Sequence, residues 1–260
     1  MRGRPTFKKG RWHVDERANF TSLVNNSVIL DELAAFLESG YGANRSGSVL
    51  DLGAGTEPYA PLYERYFASC VSVDVPHSPH DTIDVDVMSS ADDLPFPDAG
   101  FDCVICTEVL EHCSNPRAVM REVARVLGPG GRAFITTPFL LPLHEMPYDY
   151  YRFTPSALRD LSEHAGLTVR RLVPRGSYVS VFLSVNQMPL VKAMQKLQSR
   201  TDVPFGDSYN PLLYLLVVLP QKAYLAALRW ISRHPTTKTA ILHDKLTYYA
   251  SGYVTVLEKP

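Results

Sequence analysis

The sequence lacks any strong bias of charge. Its 26 Lys and Arg against 27 Asp and Glu leave a net charge of −1, so no global field draws the chain to nucleic acid. One local exception is the stretch 1–11, which holds Arg2, Arg4, Lys8, Lys9 and Arg11 and no acid. It reads first as a frayed, solvated terminus and second as a patch that touches an anionic surface. Cysteine is scarce. Cys70, Cys103, Cys106 and Cys113 follow no apolar leader, which points to a reducing cytoplasm. Cys103 and Cys106 form a C-x-x-C inside an apolar run, but residues three apart on a strand face opposite ways, which is poor geometry for a shared metal. No second pair stands at zinc-site spacing, so no metal is expected and all four cysteines read as small core residues.

Long apolar runs are missing as well. The greasiest segment, Pro211-Leu212-Leu213-Tyr214-Leu215-Leu216-Val217-Val218-Leu219-Pro220, is shorter than the ~20 residues that span a bilayer. It reads as a helical cap on the main domain, with two alternatives: a lid over an apolar acceptor pocket, or a contact with a membrane surface.

What is present is an alternation of short apolar strands and amphipathic helices. Apolar residues at helical spacing predict a helix over 28–37, stopped by Gly40. Strands are expected at 48–52, 70–75, 83–87, 101–106, 132–137, 168–173 and 252–257. Helices are expected at 58–67, with Pro58 in its first turn, at 116–127, and from Thr154 to Ala165, where Thr154 is a good N-cap and Gly166 closes the element. Gly128-Pro129-Gly130-Gly131 reads as a turn cluster after the second of these. This rhythm argues for an α/β, Rossmann-like doubly wound sheet with helices on both faces. The expected organisation is a basic segment and capping helix over 1–45, a binding core over 46–176, an apolar helical insert or lid over 177–247, and the last core strand in 248–260.

The chemistry begins where the first strand of this core runs into Asp51-Leu52-Gly53-Ala54-Gly55. Glycines there let the chain turn tightly and let a ligand lie on the backbone. A dinucleotide site would carry a third glycine where this chain has Pro58, and no Lys-Ser/Thr pair follows for a triphosphate. A ligand without a pyrophosphate fits better. Asp74 ends the next strand, where a carboxylate can accept hydrogen bonds from both hydroxyls of a ribose.

Five segments then fall in order: 49–56, 71–75, Asp92-Asp93-Leu94-Pro95-Phe96-Pro97-Asp98 with Phe101-Asp102, Thr107-Glu108-Val109-Leu110-Glu111-His112, and Arg125-Val126-Leu127-Gly128-Pro129-Gly130-Gly131. Together they resemble the type 11 class I S-adenosylmethionine-dependent methyltransferases, over roughly residues 45–173. The resemblance implies a seven-stranded sheet with its last strand antiparallel, and S-adenosyl-L-methionine as cofactor. It implies that Asp51, Gly53, Ala54 and Gly55 hold the amino-acid end of the cofactor, that Asp74 and Val75 hold the ribose, and that Thr107 borders the cofactor. The usual Asp-Ala pair near the adenine is Ser90-Ala91 here, so Asp92 or Asp86 is expected to supply the acid, with Leu94 stacking nearby. Glu111 and His112 read as structural.

A second resemblance lies after the fifth strand. His144-Glu145-Met146-Pro147-Tyr148-Asp149-Tyr150-Tyr151-Arg152-Phe153-Thr154 is similar to a H-x-x-P-x-D-Y-x-R-[FY]-T segment of bacterial members of the group. Loops beyond the carboxyl ends of strands face the ligand in such sheets, so His144 is the candidate base. Asp149 is expected to orient it or bind the acceptor, and Arg152 to hold an anionic group or pair with Asp149. The expected reaction is in-line methyl transfer, most plausibly to oxygen of a small, sugar-containing or lipid-linked acceptor. Alternatives are an NAD-dependent oxidoreductase and a non-catalytic cofactor-binding protein. A cytoplasmic location is expected, with peripheral membrane contact through the apolar insert as an option and no nucleic-acid partner.

Overall fold

Strands whose alternate residues are apolar must cover both faces of their sheet, and here they do. The computed structural model describes residues 6–8, 11–13, 23–41, 45–76, 78, 85–176 and 249–260, with isolated positions between 181 and 227. Two short strands, β1 (Thr6–Lys8) and β2 (Arg11–His13), pair antiparallel with Phe7 and Trp12 in register. Part of the basic terminus is therefore a ribbon and not a frayed tail. Helix α1 (Leu23–Gly40) follows, longer at both ends than the apolar spacing predicts.

The main sheet is built from β3 (Ser48–Leu52), β4 (Ser69–Asp74), β5 (Val87–Met88), β6 (Phe101–Thr107), β7 (Leu127–Pro138), β8 (Thr168–Arg175) and β9 (Gly252–Glu258). Their spatial order is β5-β4-β3-β6-β7-β9-β8. The first five run parallel, and β9 inserts antiparallel between β7 and β8. The expected doubly wound sheet with an antiparallel last strand is present.

Period-two alternation divides the core cleanly. Leu50, Leu52, Val104, Cys106, Ala133 and Ile135 face α3 (Pro116–Val126) and α4 (Pro155–His164). Val49, Cys103, Ile105 and Phe134 face α1 and α2 (Ala60–Tyr63). Cys103 and Cys106 thus lie on opposite faces, as their strand spacing requires.

Three local expectations need correction. The helix expected over 58–67 is only the four residues of α2, and Pro61, not Pro58, sits in its first turn behind the cap Tyr59. The glycine cluster at 128–131 is not a turn outside the sheet. Leu127 already pairs with Phe101, a register shift follows, and Arg132 pairs with Cys103. Gly130 N–H donates to Lys259 O and Lys259 N–H to Gly131 O, each at 2.9 Å. The third strand is the two-residue β5, since Asp86 is held beside β4 before pairing starts; residues 83–84 of the expected 83–87 strand fall outside the described residues, as does the apolar insert over 177–247 apart from isolated positions. Thr154 caps α4 as expected, its hydroxyl accepting from Ala157 N at 3.2 Å, with Gly166 at φ +76° after the end.

Candidate functional site

Because β3 pairs with β4 on one side and β6 on the other, the chain leaves these strands in opposite directions and opens a crevice at their carboxyl ends. A cleft of about 730 Å³ lies there, in the size range of small-molecule sites.

The glycine turn forms its floor. Gly53 has φ +71° and Gly55 φ +55°, a region that costs other L-residues about 1–2 kcal/mol. Gly53 and Ala54 N–H both donate to Val73 O, at 2.8 and 3.0 Å. Asp74 locks the other end: Oδ2 accepts from Gly55 N at 2.7 Å and Oδ1 from Val75 N at 2.6 Å. A carboxylate offers about four lone-pair sites, so two stay available on the cleft side, a fit to the vicinal hydroxyls of a ribose. Gly53, Ala54, Gly55, Asp74, Val75, Ser90, Ala91 and Thr107 all line this cleft.

Asp51 is placed differently. It lies beneath the turn, 2% exposed, and accepts from the Tyr63 hydroxyl at 3.0 Å. Burial pushes its carboxyl up to about 7, against the hydrogen bond from Tyr63. Between about pH 4 and that value the native state holds a proton that the unfolded chain has released, so stability from this residue falls as pH rises through the window. We predict that Asp51→Asn removes this dependence. In urea unfolding at pH 5 and pH 8, the variant should gain about 3 kcal/mol relative to wild type at the higher pH; an unchanged difference would refute the assignment.

On the adenine side the structure separates the two candidate acids. Asp86 is taken up by β4, accepting from Ser72 N at 2.9 Å and Ser72 Oγ at 3.0 Å. Asp92 lines the cleft and accepts from the Ser90 hydroxyl. Leu94 is buried in the core beneath, its N–H donating to Glu122 at 2.8 Å, and is not among the residues that face the cleft.

The opposite end joins two segments distant in sequence. The turn after β6 supplies Glu108 and His112, and the loop between β7 and α4 supplies His144, Glu145 and Tyr148. This loop is clamped onto the turn by Tyr150 N–H to Glu111 O at 2.8 Å and by the Tyr151 hydroxyl to Ser114 O at 3.1 Å. His144 faces the cleft. Asp149 and Arg152 do not: Asp149 is buried and takes Arg152 in a bidentate pair at 2.5 and 2.8 Å. The guanidinium holds the Asp149 carboxyl down at about 2. Asp149 Oδ2 also accepts from His144 N at 2.9 Å, so this pair fixes where the imidazole stands.

Sequence reasoning missed two residues here. Glu108 has φ +56°, an uncommon state for a non-glycine that marks stored strain. Its carboxylate accepts from Thr136 Oγ1 at 2.9 Å and from Arg175 Nη2 at 2.8 Å. Arg175 is wholly buried at the end of β8. The motif containing Glu108 was visible, but no local signal marked Arg175 as its partner. The other underrated residue is His112, read as structural, which also lines the cleft.

The fold is an open α/β sheet with a cleft at the carboxyl ends of its central strands, lined by the glycine turn and Asp74. A methyltransferase-domain family profile matches residues 24–172. The chain belongs to this family and is an S-adenosylmethionine-dependent methyltransferase. It is 29% identical over 195 residues to a ubiquinone biosynthesis O-methyltransferase of Xanthomonas oryzae pv. oryzae, covering 65% of this chain and 74% of that one. It is 36% identical over 117 residues to the uncharacterized methyltransferase YcgJ of Bacillus subtilis, covering 39% and 42% of the two chains. Among solved structures, a putative sarcosine dimethylglycine methyltransferase from Galdieria sulphuraria aligns over 90% of this chain and 86% of its own, with a TM-score of 0.56 at 18% identity. The [4+2]-cyclase SpnF aligns over 89% and 81%, with a TM-score of 0.53 at 17% identity. These two likenesses show the fold.

Proposed function

We propose that the enzyme methylates an oxygen of a small, sugar-containing or lipid-linked acceptor in the cytoplasm. The observation that carries this reading is the single cleft that joins the glycine turn and Asp74 at one end to His112 and His144 at the other. When bound, S-adenosylmethionine supplies an electrophilic methyl group on a sulfonium, open to in-line displacement. The protein's part is alignment and proton removal. Gly53 and Gly55 let the cofactor lie against the backbone, and Asp74 receives its ribose. Val75, Ser90, Ala91 and Asp92 form the wall for the base, and Thr107 borders the middle. His144 takes the acceptor's proton, held in place by Asp149 through its backbone N–H; Arg152 pairs with Asp149 and sets its orientation.

The O-methyltransferase named above acts in ubiquinone biosynthesis, which supports oxygen as the acceptor atom. Leu143, Met146 and Tyr148 are exposed on the loop that carries His144, which supports a hydrophobic acceptor. Among the described residues, no helix is long and apolar enough to cross a membrane. A nicotinamide cofactor fits less well, since Pro58 replaces the third glycine of that motif.

Calorimetry with S-adenosylmethionine and with NAD tests the cofactor; heat with NAD alone would overturn the reading. A radiolabelled-methyl assay on fractionated small molecules and lipids then tests the acceptor. For the base, His144→Ala is expected to lower turnover about 100-fold or more while cofactor affinity stays within a factor of two or so of wild type. Unchanged turnover would remove His144 from that role.

A further inference from the structure

Glu111 is the most anomalous side chain in the described structure. It is wholly buried, and neither carboxylate oxygen has a hydrogen-bond partner among the described residues. An orphaned buried carboxylate is expensive, so its surroundings must offer compensation. Its neighbours are two imidazoles. His112 Nε2 lies 3.7 Å from Glu111 Oε1 and 3.6 Å from Glu145 Oε2. The His144 ring meets that of His112 edge-on, with centroids 4.8 Å apart.

The tautomer of His112 sharpens the point. Its Nδ1 stands 3.0 Å from Tyr148 O, and a carbonyl can only accept, so Nδ1 carries the hydrogen. In the neutral ring, Nε2 then aims a lone pair at two carboxylates. Neither oxygen is within hydrogen-bond distance of Nε2, whereas an ion lying between them could draw a lone pair from all three. A histidine that donates its other N–H to a backbone carbonyl is also how metal-ligating imidazoles are held.

From this geometry we infer that Glu111, His112 and His144 form a divalent transition-metal site at the acceptor end of the cleft, with Glu145 as a nearby fourth donor. One ligand atom from each of the three lies within 4.8 Å of the others. Ligands of a tetrahedral ion with bonds of about 2.0–2.1 Å stand about 3.3 Å apart, so small side-chain movements close the shell. Two imidazoles with carboxylates suit zinc, manganese or iron; magnesium prefers an all-oxygen shell. Two nearby carboxylates favour a doubly charged ion. The two guanidinium groups that act on Glu111, Arg175 and Arg152, are already met by Glu108 and Asp149. His112, His144 and Glu145 line the cleft, so an ion there keeps a coordination position open toward the acceptor. It also pins the loop carrying His144 to the turn after β6.

The inference rests on the proposed reaction and changes one role in it: a metal-held His144 is a ligand, and an ion there would lower the pKa of the acceptor hydroxyl in place of a free base. Metal binding is measured without cofactor, so it succeeds or fails apart from that reading. The untagged full chain, stripped with chelator, is titrated with zinc chloride and with magnesium chloride by calorimetry, and its metal content is measured after dialysis. We expect one equivalent of zinc, magnesium binding at least 100-fold weaker, and at least 100-fold weaker zinc binding in Glu111→Gln and in His112→Ala. Glu111→Gln removes a buried charge and keeps the shape, so it tests the site without relying on a variant prone to unfold. Absence of zinc binding in wild type, or equal affinity in Glu111→Gln, overturns the site. Lost turnover in His144→Ala with zinc affinity unchanged does so too, and returns that residue to the role of free base.

Discussion

Asp74→Asn should weaken S-adenosylmethionine binding about 100-fold. Asp74 accepts charge-assisted bonds from Gly55 N and Val75 N, and we assign its two remaining lone-pair sites to the ribose. An amide keeps one acceptor oxygen and turns an N–H₂ donor toward backbone N–H or ribose. Hydrogen bonds to a charged group contribute about 1.5–3 kcal/mol each, and each 1.4 kcal/mol is tenfold in affinity. Losing one such bond to protein and one to ligand accounts for the expected size. Calorimetry of the variant reads it directly, with a thermal melt to show that the fold persists. Affinity within threefold of wild type would exclude Asp74 as the ribose partner.

Gly53→Ala is expected to be still more damaging, and for steric reasons. A Cβ at this position would stand 2.3 Å from Val109 Cγ2, in a backbone with φ +71°. Val109 belongs to the turn after β6 and lines the cleft, so it cannot retreat without moving Glu108 and the acceptor end with it. The left-handed conformation costs about 1–2 kcal/mol, and overpacking about 1–3 kcal/mol more. We expect stability to fall by about 2–5 kcal/mol in urea unfolding and cofactor binding to become undetectable by calorimetry. A contrast at Gly166, also at positive φ but with open space around its Cβ, isolates the clash: Gly166→Ala carries only the backbone cost and leaves cofactor binding intact. Equal effects at the two positions would disprove the role given to Val109.

Much of the sheet was legible because its information is local. Alternation in 48–52 and 101–106 places successive residues on opposite faces whatever the rest of the chain does, and Cys103 and Cys106 followed that rule. The cap at Thr154 was legible for the same reason, since its hydroxyl reaches a backbone N–H three residues away. The glycine cluster at 128–131 misled because its composition signals a turn, while its backbone groups find partners beyond β9, at Lys259. Pro58 misled in the same manner: the true helix starts two residues later, where Pro61 serves the first turn.

The half of the cleft that we assign to the cofactor lies along neighbouring strand ends, and spacing alone pointed to Gly53, Gly55 and Asp74. The sequence by itself determined the class of fold, the glycine turn and the carboxylate that faces it, because each depends on residues within one β-α-β unit. Only the tertiary structure decided that Asp51 lies beneath the turn, that Asp92 and not Asp86 lines the cleft, and that Glu108 is held by Arg175. It alone set Glu111 and His112 against His144. Those pairings join residues tens of positions apart, and no local periodicity records them. They exist because closing the sheet brings the end of β6, the loop after β7 and the end of β8 to one edge, where charged groups removed from water must find one another.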